Sequence, residues 1–429
     1  MAASYLRRGM DAPATFSLYV RELPPERGFL VAAGLDACLD FLEGFSFEDD
    51  ELAYLTSIGF DPETVDRFGA LRFDGEVWAV PEGRIVHANE PVLEVTAPIA
   101  AAQLVETALL NLITLHVTVA SKAARYRVAA GRADLVDFAF RRTHGPDAAM
   151  AVARDSAIVG FVATSNVEAA RRYGLQASGT MAHSYVEAFP TERRAFEAFA
   201  GDFPKRTTFL VDTYDTVNGV ATAIDVIRGL HLDGTLGVRL DSGDLDTLSR
   251  RARAMLDEAG LPDVRVVASG GLDERQVAAL VDAGAPVDAF GIGTQLGVSA
   301  DAPYVDSVYK LVAYDGRPVL KLSANKATRP GAKQVFRGPD GDHLGLRDES
   351  APGGTEPMLA PAMRDGHRVA DPDGIEVMRE RFDADLAALP EGARRLDRPE
   401  PVEPAVTPAL RELTERIGDD ARRQAGVVG

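Results

Sequence analysis

The chain has 429 residues, of which 46% are hydrophobic and 26% are charged, and its formal net charge at pH 7 is -19. This length predicts one large domain and a second one, while the negative charge argues against a nucleic acid or an anionic membrane as the main partner, because their phosphates would repel the protein. The single cysteine, Cys38, excludes an internal disulfide and a thiolate metal cluster, and no run is apolar enough to predict a membrane span, so we expect a cytoplasmic protein.

Residues 1–130 are predicted to form a β-rich α+β domain. Alternating apolar residues predict a strand near 16–23, and turn residues divide the run 75–99 into further short strands. A short helix is predicted over 34–45 between them. A run of good helix formers with no internal glycine or proline then predicts one long helix over 101–130, with which this domain ends.

Residues 131–305 alternate between short β-branched runs and helical runs, which predicts βαβ units and a parallel sheet. Because the repetition lacks a dinucleotide-binding fingerprint, it favours a closed or nearly closed (β/α) barrel over a doubly wound sheet. The strands are predicted at 134–140, 175–180, 207–213, 236–242, 264–271 and 287–294. The helical runs are predicted at 146–163, 182–200, 217–230, 245–260 and 273–284.

Residues 306–429 end this alternation and are predicted to form a third segment of hairpin, loops and a terminal helix. The hairpin is expected within 307–323, around the turn residues Asp315 and Gly316. Connections rich in glycine, proline and charged residues follow, and the last helix is predicted near 409–425.

The predicted strand ends carry polar, charged or glycine residues, and strand ends are where the active site of a (β/α) barrel lies. These residues are Arg141, Arg142, His144, Thr180, His183, Asp212, Asp215, Arg239, Asp241, Ser242, Asp244, Ser269, Gly270, Gly271, Gly291, Gly293 and Thr294. A simpler explanation holds for some of them, since an aspartate after a strand is often only a helix N-cap, as we expect of Asp215, Asp244 and Asp273. A single histidine in a helix is likewise more often a packed or exposed residue than a catalyst. The functional interpretation therefore depends on their convergence on one face.

Two glycine-containing loops follow the last two predicted strands, at 269–271 and 291–294. In many barrels these two loops bind phosphate through backbone N–H groups at helix N-termini, and Ser269 and Thr294 add hydroxyl donors. The second loop does not match the dinucleotide pattern, because Leu296 stands where the third glycine would be. The sequence thus predicts a phosphate site rather than a nicotinamide dinucleotide site.

Asp212 and Asp241 end two neighbouring predicted strands, and such a carboxylate pair suits Mg²⁺, which binds through one or two carboxylates, water and substrate phosphates. Arg239 precedes Asp241 by two residues, so their side chains share a strand face. Their pairing is either structural, or Arg239 binds a planar carboxylate ligand as a bidentate fork. These strand ends carry no lysine for a Schiff-base aldolase and no serine nucleophile elbow.

Eight stretches, in order between about residues 4 and 340, resemble the nicotinate phosphoribosyltransferase family of type II phosphoribosyltransferases. They read VDFAFRRTHGPDAAM, ATSNVEA, SGTMAHSYVEAF, LVDTYDT, GVRLDSGDL, SGGLDE, FGIGTQLG and KLSANKATRPGAKQVFR. The resemblance implies an irregular (β/α) barrel with a β-rich N-terminal domain, a C-terminal segment that packs back on it, and a homodimer. It also implies an enzyme of NAD salvage that forms nicotinate mononucleotide and diphosphate from nicotinate and 5-phosphoribosyl 1-diphosphate, coupled to ATP hydrolysis with Mg²⁺.

The resemblance further implies roles for individual residues. His183 would be phosphorylated by ATP. From the strand-end positions we ourselves expect that Asp212 orients its ring and that Asp241 holds the metal. Thr180 and Arg239 would bind nicotinate, and Thr294 would bind 5-phosphoribosyl 1-diphosphate. The remaining substrate-binding residues would be Arg141, Ser242, Ser269, Gly270, Gly271, Gly291 and Gly293, with Arg142 as a further basic residue near the substrates.

The sequence departs from the family pattern at two places. SANK replaces the expected SPGK next to Lys326, and the chain opens at MAASYLRRG without a TDLYELTM-like segment, which in the family supplies an aromatic ring against the pyridine. We therefore expect a shortened enzyme that turns over nicotinate poorly. Two alternatives stay open at this point: a nicotinamide phosphoribosyltransferase, and a catalytically impaired barrel that only binds a phosphorylated ligand.

Overall fold

The computed structural model describes residues 1–323 and 328–424. The chain forms two compact units, one made of Met1–Thr118 with Tyr304–Gly429 and the other of Val119–Pro303. The N- and C-terminal parts of the chain therefore share a unit. The predicted boundaries after residues 130 and 305 remain predictions, and the departure at Lys326 lies outside the described residues.

The strands are numbered in chain order. They are β1 (Pro13–Val20), β2 (Leu30–Val31), β3 (Glu76–Ala79), β4 (Ile85–Val86), β5 (Pro91–Pro98), β6 (Asp134–Asp137), β7 (Ala163–Thr164), β8 (Arg206–Leu210), β9 (Thr235–Leu240), β10 (Arg265–Ala268), β11 (Ala289–Ile292), β12 (Ser307–Tyr314), β13 (Arg317–Pro318), β14 (Lys333–Gly338), β15 (Gly341–Leu346), β16 (Glu356–Pro357), β17 (Ala360–Arg364), β18 (His367–Arg368) and β19 (Ala405–Val406).

The α-helices are numbered in the same way, and a single 3₁₀ turn covers Phe140–Arg142. They are α1 (Ala2–Arg7), α2 (Leu35–Glu43), α3 (Asp49–Ser57), α4 (Pro62–Ala70), α5 (Ile99–Leu104), α6 (Glu106–Ala130), α7 (Pro146–Ile158), α8 (Val167–Tyr173), α9 (His183–Glu187), α10 (Glu192–Asp202), α11 (Thr216–Gly229), α12 (Leu245–Glu258), α13 (Glu274–Asp282), α14 (Thr294–Gly297), α15 (Ile375–Ala388), α16 (Glu391–Arg394) and α17 (Pro408–Gln424).

The first unit is built on an antiparallel seven-stranded sheet in the order β13-β12-β1-β5-β3-β17-β18. Strand β1 is buried at every residue after Pro13, because both of its faces are covered, and Leu18 belongs to the same core as Leu93 and Leu109. Strands from the end of the chain thus pair with strands from its beginning, which confirms the β-rich N-terminal region with a C-terminal segment packed on it.

The C-terminal segment contains the predicted hairpin and terminal helix. Strands β12 and β13 pair antiparallel around Asp315 and Gly316, whose φ angles of 51° and 68° suit a tight hairpin turn. A smaller sheet in the order β16-β14-β15-β19 follows, and helix α17 ends the described chain.

The long helix predicted over 101–130 is two helices, α5 and α6, which Val105 separates. Within the described residues, α6 is the one helix long and apolar enough to cross a membrane, whereas the sequence predicted no such run. Of its most apolar stretch, 61% is buried inside the protein, and a core helix passes the same test of length and composition. Its side chains Leu109, Ile113 and Val117 are buried in the core of the first unit.

The second unit contains a parallel sheet in the order β7-β6-β11-β10-β9-β8. Within this unit, the last strand in chain order, β11, pairs with the first, β6, so the sheet winds round on itself as a barrel does. The strands β7 and β8 at its two ends are not paired with each other in the described sheet. This arrangement confirms the irregular (β/α) barrel.

Three predicted elements of the barrel differ from the structure. The helical run predicted over 182–200 is two helices, α9 and α10. The helix predicted over 146–163 ends at Ile158, because Gly160 follows with a φ of 100°, and strand β7 begins at Ala163. The strand predicted over 175–180 is reduced to one isolated bridge between Ala177 and Thr164, since this stretch of small residues offers few side chains to pack.

Helices α11, α12 and α13 cover the sheet and begin at the edge where its strands end. Their N-caps are Asp215, Asp244 and Asp273, whose side chains accept hydrogen bonds from backbone N–H groups three residues ahead, as predicted. Gly219 lets α11 lie against the end of β8, because a Cβ there would be 2.1 Å from the carbonyl oxygen of Val211. The strand ends and helix starts therefore share one edge, where the polar residues gather.

Candidate active site

A cavity of about 540 Å³ opens at the strand ends of the second unit. The polar or glycine residues that line it include Arg141, Ser165, Gly179, Thr180, His183, Arg239 and Asp241, and the apolar ones are Phe138, Phe140, Ala182 and Leu210. The structure thus brings together residues from the ends of β6, β7, β8 and β9 and from the start of α9. Five of the predicted residues thus line one cavity: Arg141, Thr180, His183, Arg239 and Asp241.

Arg239 extends from β9 into this cavity and is held by three side chains. Its Nε donates to Ser269 Oγ at 2.8 Å, one terminal nitrogen donates to Thr180 Oγ1 at 2.8 Å, and the other donates to Asp241 Oδ1. Its guanidinium carbon lies 5.4 Å from the centre of the Phe138 ring. Two of its three hydrogen-bonding partners are neutral hydroxyls, so a ligand carboxylate could approach this planar guanidinium without displacing an anion.

Asp241 is a half-buried carboxylate on the same wall. Burial raises its pKa, but the hydrogen bond from Ser269 and the charge of Arg239 together lower it by more than burial raises it. The net pKa therefore lies below the ordinary value, and the group is ionised at neutral pH. Gly270 has a φ of 107°, and a Cβ there would lie 2.0 Å from the carbonyl oxygen of Asp241. A glycine is therefore required where the loop after β10 passes the end of β9.

His183 is the first residue of α9, and its side chain is 42% exposed to the cavity. Its Nδ1 lies 3.1 Å from Thr213 Oγ1, and its Nε2 lies 3.8 Å from Asp241 Oδ2. Thr213 and Asp241, rather than Asp212, therefore contact the ring, which corrects the expectation that Asp212 orients it.

Asp212 has a different set of contacts from the one expected. Its Oδ2 accepts hydrogen bonds from the main-chain N–H of Asp241 at 3.0 Å and from the Ser242 hydroxyl at 2.6 Å. The turn after β8 points Asp212 towards the main chain that follows β9 and leaves Thr213 beside His183. Within the described residues, the other oxygen of Asp212, Oδ1, is buried and accepts no hydrogen bond.

The two carboxylates fit the chemistry of Mg²⁺ as a pair. The described residues contain no group of three or more His, Cys, Asp or Glu side chains that could hold a metal by themselves. Mg²⁺ needs no such group, because it keeps water and binds through one or two carboxylates together with substrate phosphates. The unpartnered Oδ1 of Asp212 and the ionised Asp241 are the donors that such an ion would use.

The two glycine loops differ in how much they leave for a ligand. In the first, the Ser269 hydroxyl is bound to Arg239 and Asp241, while Gly271 has a φ of 76° with open space around it. In the second, Gly291 is buried, and a Cβ there would lie 2.6 Å from the Phe138 ring, so this glycine makes room for the ring. Gly293 and the exposed Thr294 begin the short helix α14.

Arg141 lines the cavity from the 3₁₀ turn that follows β6. Arg142 lies in the same turn and is exposed, as is His144 shortly after it. The site residues that the sequence did not predict include Phe138, Ser165 and Thr213. A signal was present for each of them. Phe138 directly follows β6, Ser165 directly follows β7, and Thr213 follows Asp212. However, Phe138 was predicted to lie within a strand and Ser165 to follow a helix.

Two family models match the chain. The nicotinate phosphoribosyltransferase (NAPRTase) N-terminal domain matches residues 1–114, and the nicotinate phosphoribosyltransferase (NAPRTase) family matches residues 133–383. Among relatives, nicotinate phosphoribosyltransferase pncB2 of Mycobacterium tuberculosis is 47% identical over 405 residues, which are 92% of this chain and 87% of the relative. Nicotinate phosphoribosyltransferase of Bacillus subtilis is 43% identical over 367 residues, 81% of this chain and 74% of the relative.

Solved structures agree with these matches. The crystal structure of human nicotinic acid phosphoribosyltransferase superposes with a TM-score of 0.85 at 29% identity, and covers 97% of this chain and 98% of its own. The crystal structure of nicotinate-nucleotide pyrophosphorylase from Pyrococcus furiosus superposes with a TM-score of 0.74 at 26% identity, over 90% of this chain and 92% of its own.

Proposed function

Since the chain belongs to the nicotinate phosphoribosyltransferase family and is an enzyme of that type, we propose that ATP drives its reaction through a phosphorylated His183. The reaction joins nicotinate to 5-phosphoribosyl 1-diphosphate, and its products are nicotinate mononucleotide and diphosphate, in NAD salvage. The role of ATP, the metal and the assignment of each residue are the proposed parts.

Nicotinate binds between Arg239 and Thr180, with the Phe138 ring beside it. The observation that carries this proposal is the set of groups to which Arg239 donates hydrogen bonds: two neutral hydroxyls and one carboxylate. They lie at a cavity that is large enough for a pyridine ring. The ligand carboxylate takes over the hydrogen bond that the Thr180 hydroxyl accepts from Arg239 in the free site. An amide offers one neutral oxygen in place of two that share a negative charge, so it forms no ion pair with the guanidinium and we expect nicotinamide to bind more weakly.

The 5-phosphoribosyl 1-diphosphate binds beside it, with its 5′-phosphate on the two glycine loops. The backbone N–H groups near Gly271 and Gly293 and the hydroxyl of Thr294 donate to the phosphate oxygens, and Arg141 adds positive charge at the rim. Asp212 and Asp241 would hold Mg²⁺, which would neutralise charge on the diphosphate leaving group. Ser242 keeps Asp212 oriented through the hydrogen bond to its Oδ2.

His183 accepts the terminal phosphoryl group of ATP. A ring nitrogen of the neutral imidazole attacks the phosphorus, a bond forms between nitrogen and phosphorus, and the bond to the ADP oxygen breaks. Thr213 fixes the ring through Nδ1, and the ionised Asp241 beside Nε2 stabilises a positively charged ring. Hydrolysis of the phosphohistidine then releases inorganic phosphate and restores the free imidazole.

The assembly and the location are also proposals. The family resemblance supports a homodimer, and the absence of any possible internal disulfide supports a cytoplasmic location. Gel filtration with light scattering measures the first, and fractionation of the source cells measures the second.

The test of the coupled reaction uses the His183→Asn variant, with His144→Asn as a matched control on the exposed turn after β6. Purified protein is incubated with γ-labelled ATP, and nicotinate mononucleotide is measured with nicotinate or nicotinamide, with and without ATP. We expect label on the parent and on His144→Asn, no label on His183→Asn, and slow ATP-independent transfer by all three. Label that persists on His183→Asn contradicts the phosphohistidine, and equal use of nicotinamide contradicts the assignment of Arg239.

A further inference from the structure

Four charged side chains form a buried network in the second unit, apart from the cavity residues. Lys122 Nζ lies 2.5 Å from Glu274 Oε2 and 2.7 Å from Asp301 Oδ1, and Arg125 Nε lies 2.7 Å from Glu274 Oε1 and 3.9 Å from Asp301 Oδ2. The side chains of Lys122 and Glu274 are each 2% exposed. Two positive and two negative charges thus balance one another largely out of contact with bulk water.

The two carboxylates come from the segments that leave the two glycine loops. Glu274 is the first residue of α13, three positions after Gly271, and Asp301 follows the short helix α14, which begins at Thr294. The two cations lie one turn apart on α6, at positions i and i+3. One rigid helical turn therefore holds the exits of both loops.

A neutral hydrogen bond adds to this attachment. The hydroxyl of Tyr126, the next residue on α6, donates to the carbonyl oxygen of Leu272 at 3.0 Å, directly after Gly271. Gly270 and Gly271 both have positive φ angles, and glycine restricts the backbone less than any other residue. The hydrogen bond to Leu272 and the ion pairs of Glu274 limit the conformational freedom that these two glycines would otherwise give the loop.

We propose that Lys122 and Arg125 are positioning residues that set the spacing between the two glycine loops for 5-phosphoribosyl 1-diphosphate. The proposal rests on the function proposed above, in which both loops bind the 5′-phosphate. Apolar residues of similar volume could fill the same space with no loss of stability, so burial alone does not require charges here. A cation on α6 that contacts both carboxylates fixes the residues after each glycine loop relative to this helix. Apolar packing would fix them less well, because it is not directional.

The test uses Asp301→Asn, because Asp301 is the most exposed member of the network, with 15% of its side chain accessible. Losing one charge-assisted hydrogen bond to Lys122 should raise the Michaelis constant for 5-phosphoribosyl 1-diphosphate by about tenfold and that for nicotinate by less than about threefold. The sign is diagnostic: the substitution removes a negative charge, so a purely electrostatic role would strengthen the binding of the anionic substrate instead.

Two further variants separate this inference from the proposed function. Asp233→Asn breaks the exposed ion pair with Lys205 in the same unit and should leave both Michaelis constants unchanged. Gly271→Ala strains the first loop directly, since its φ is 76° with free space for the added methyl group. Thermal unfolding of each variant shows that it is folded.

The outcomes are distinct. If Asp301→Asn and Gly271→Ala both weaken 5-phosphoribosyl 1-diphosphate and spare nicotinate, the positioning role is supported. If Gly271→Ala weakens this substrate and Asp301→Asn does not, or weakens both substrates equally, the positioning role is overturned and the phosphate loop stands. If neither variant changes the Michaelis constant for this substrate, the assignment of the loop falls, and the positioning role falls with it.

Discussion

Two arginines, one in each unit, are similarly buried but differ in how many of their hydrogen-bonding partners are charged. Arg337 on β14 has a side chain 19% exposed, and it donates to both oxygens of Asp342, to Asp385 and to the carbonyl oxygen of Ile85. Arg239 on β9 has a side chain 15% exposed and shares its donors between one carboxylate and two hydroxyls. The exposed fraction does not tell these two apart.

The difference lies in what a ligand could replace. The partners of Arg337 are two carboxylates and a carbonyl oxygen, and displacing them would leave Asp342 without a cation inside the protein, while Asp385 would keep Arg84. The hydroxyls on Arg239 can rotate to other partners and carry no charge, so a ligand carboxylate displaces them at little expense. A buried arginine indicates a ligand site when most of its own partners are neutral, and variants of four residues test this comparison.

The largest effect is expected on the stability of the first unit. Arg337→Met leaves Asp342 and Asp385 without their shared cation, and breaking a buried ion pair from one side costs about 3–5 kcal/mol of the free energy of unfolding. Urea denaturation of the parent and the variant measures the loss. An unchanged midpoint would mean that the two arginines differ less than their partners suggest.

The second prediction concerns pH and a histidine of the same cluster. His87 is 4% exposed, its Nε2 lies 3.9 Å from Asp342, and burial lowers its pKa from 6.5 to about 4 although Asp342 raises it. Between these two pH values the unfolded chain binds more protons than the folded one, so stability is full above pH 6.5 and falls as the pH decreases towards 4. The loss should reach roughly 3 kcal/mol.

Neighbouring groups make a variant necessary for that test. Burial raises the pKa of Glu90, which acts in the opposite direction on acidification, while Asp342, with a lowered pKa, acts in the same direction as His87. Denaturation of parent and His87→Gln between pH 7 and 4 isolates the histidine by difference. We expect a shallower decline for the variant, and parallel curves would refute the assignment to His87.

The third prediction concerns Arg239 itself. Arg239→Lys keeps the charge but loses the planar fork, which should weaken nicotinate binding by roughly 1.5–3 kcal/mol, about tenfold or more in affinity. Binding of 5-phosphoribosyl 1-diphosphate and thermal stability should change little. Calorimetric titration with both ligands, with the exposed Arg142→Lys as control, decides the matter, and an equal loss for both ligands would make Arg239 structural like Arg337.

The smallest effect is expected at Thr213. Thr213→Val removes the hydroxyl that lies 3.1 Å from His183 Nδ1, and a hydrogen bond of this kind contributes about 0.5–1.5 kcal/mol. The rate of His183 phosphorylation should fall by roughly two- to tenfold, and ATP-independent transfer should be unaffected. Thr213→Ser keeps the hydroxyl and serves as control. A normal rate in the valine variant would leave Asp241 as the group that orients the ring.

Much of the fold follows from local patterns in the sequence. The hairpin at Asp315 and Gly316 and the helix caps at Asp215, Asp244 and Asp273 involve residues at most a few positions apart, and the side chain or glycine that each needs is visible in the chain. The same holds for the barrel, whose alternating strands and helices specify a parallel sheet with its polar residues at one edge. The gathering of Thr180, His183, Arg239 and Asp241 at that edge was predictable for this reason.

What only the tertiary structure decided is which neighbour each polar group contacts. Asp212 and Thr213 are adjacent at one strand end, and the path of the turn after β8 puts the threonine, not the aspartate, beside His183. Lys122 and Glu274 are 152 positions apart, and nothing local marks them as partners. A strand or helix fixes the face on which a residue lies, because its period is set by backbone geometry, whereas hydrogen-bond partners depend on ångström-scale distances between elements, which only the packed chain defines.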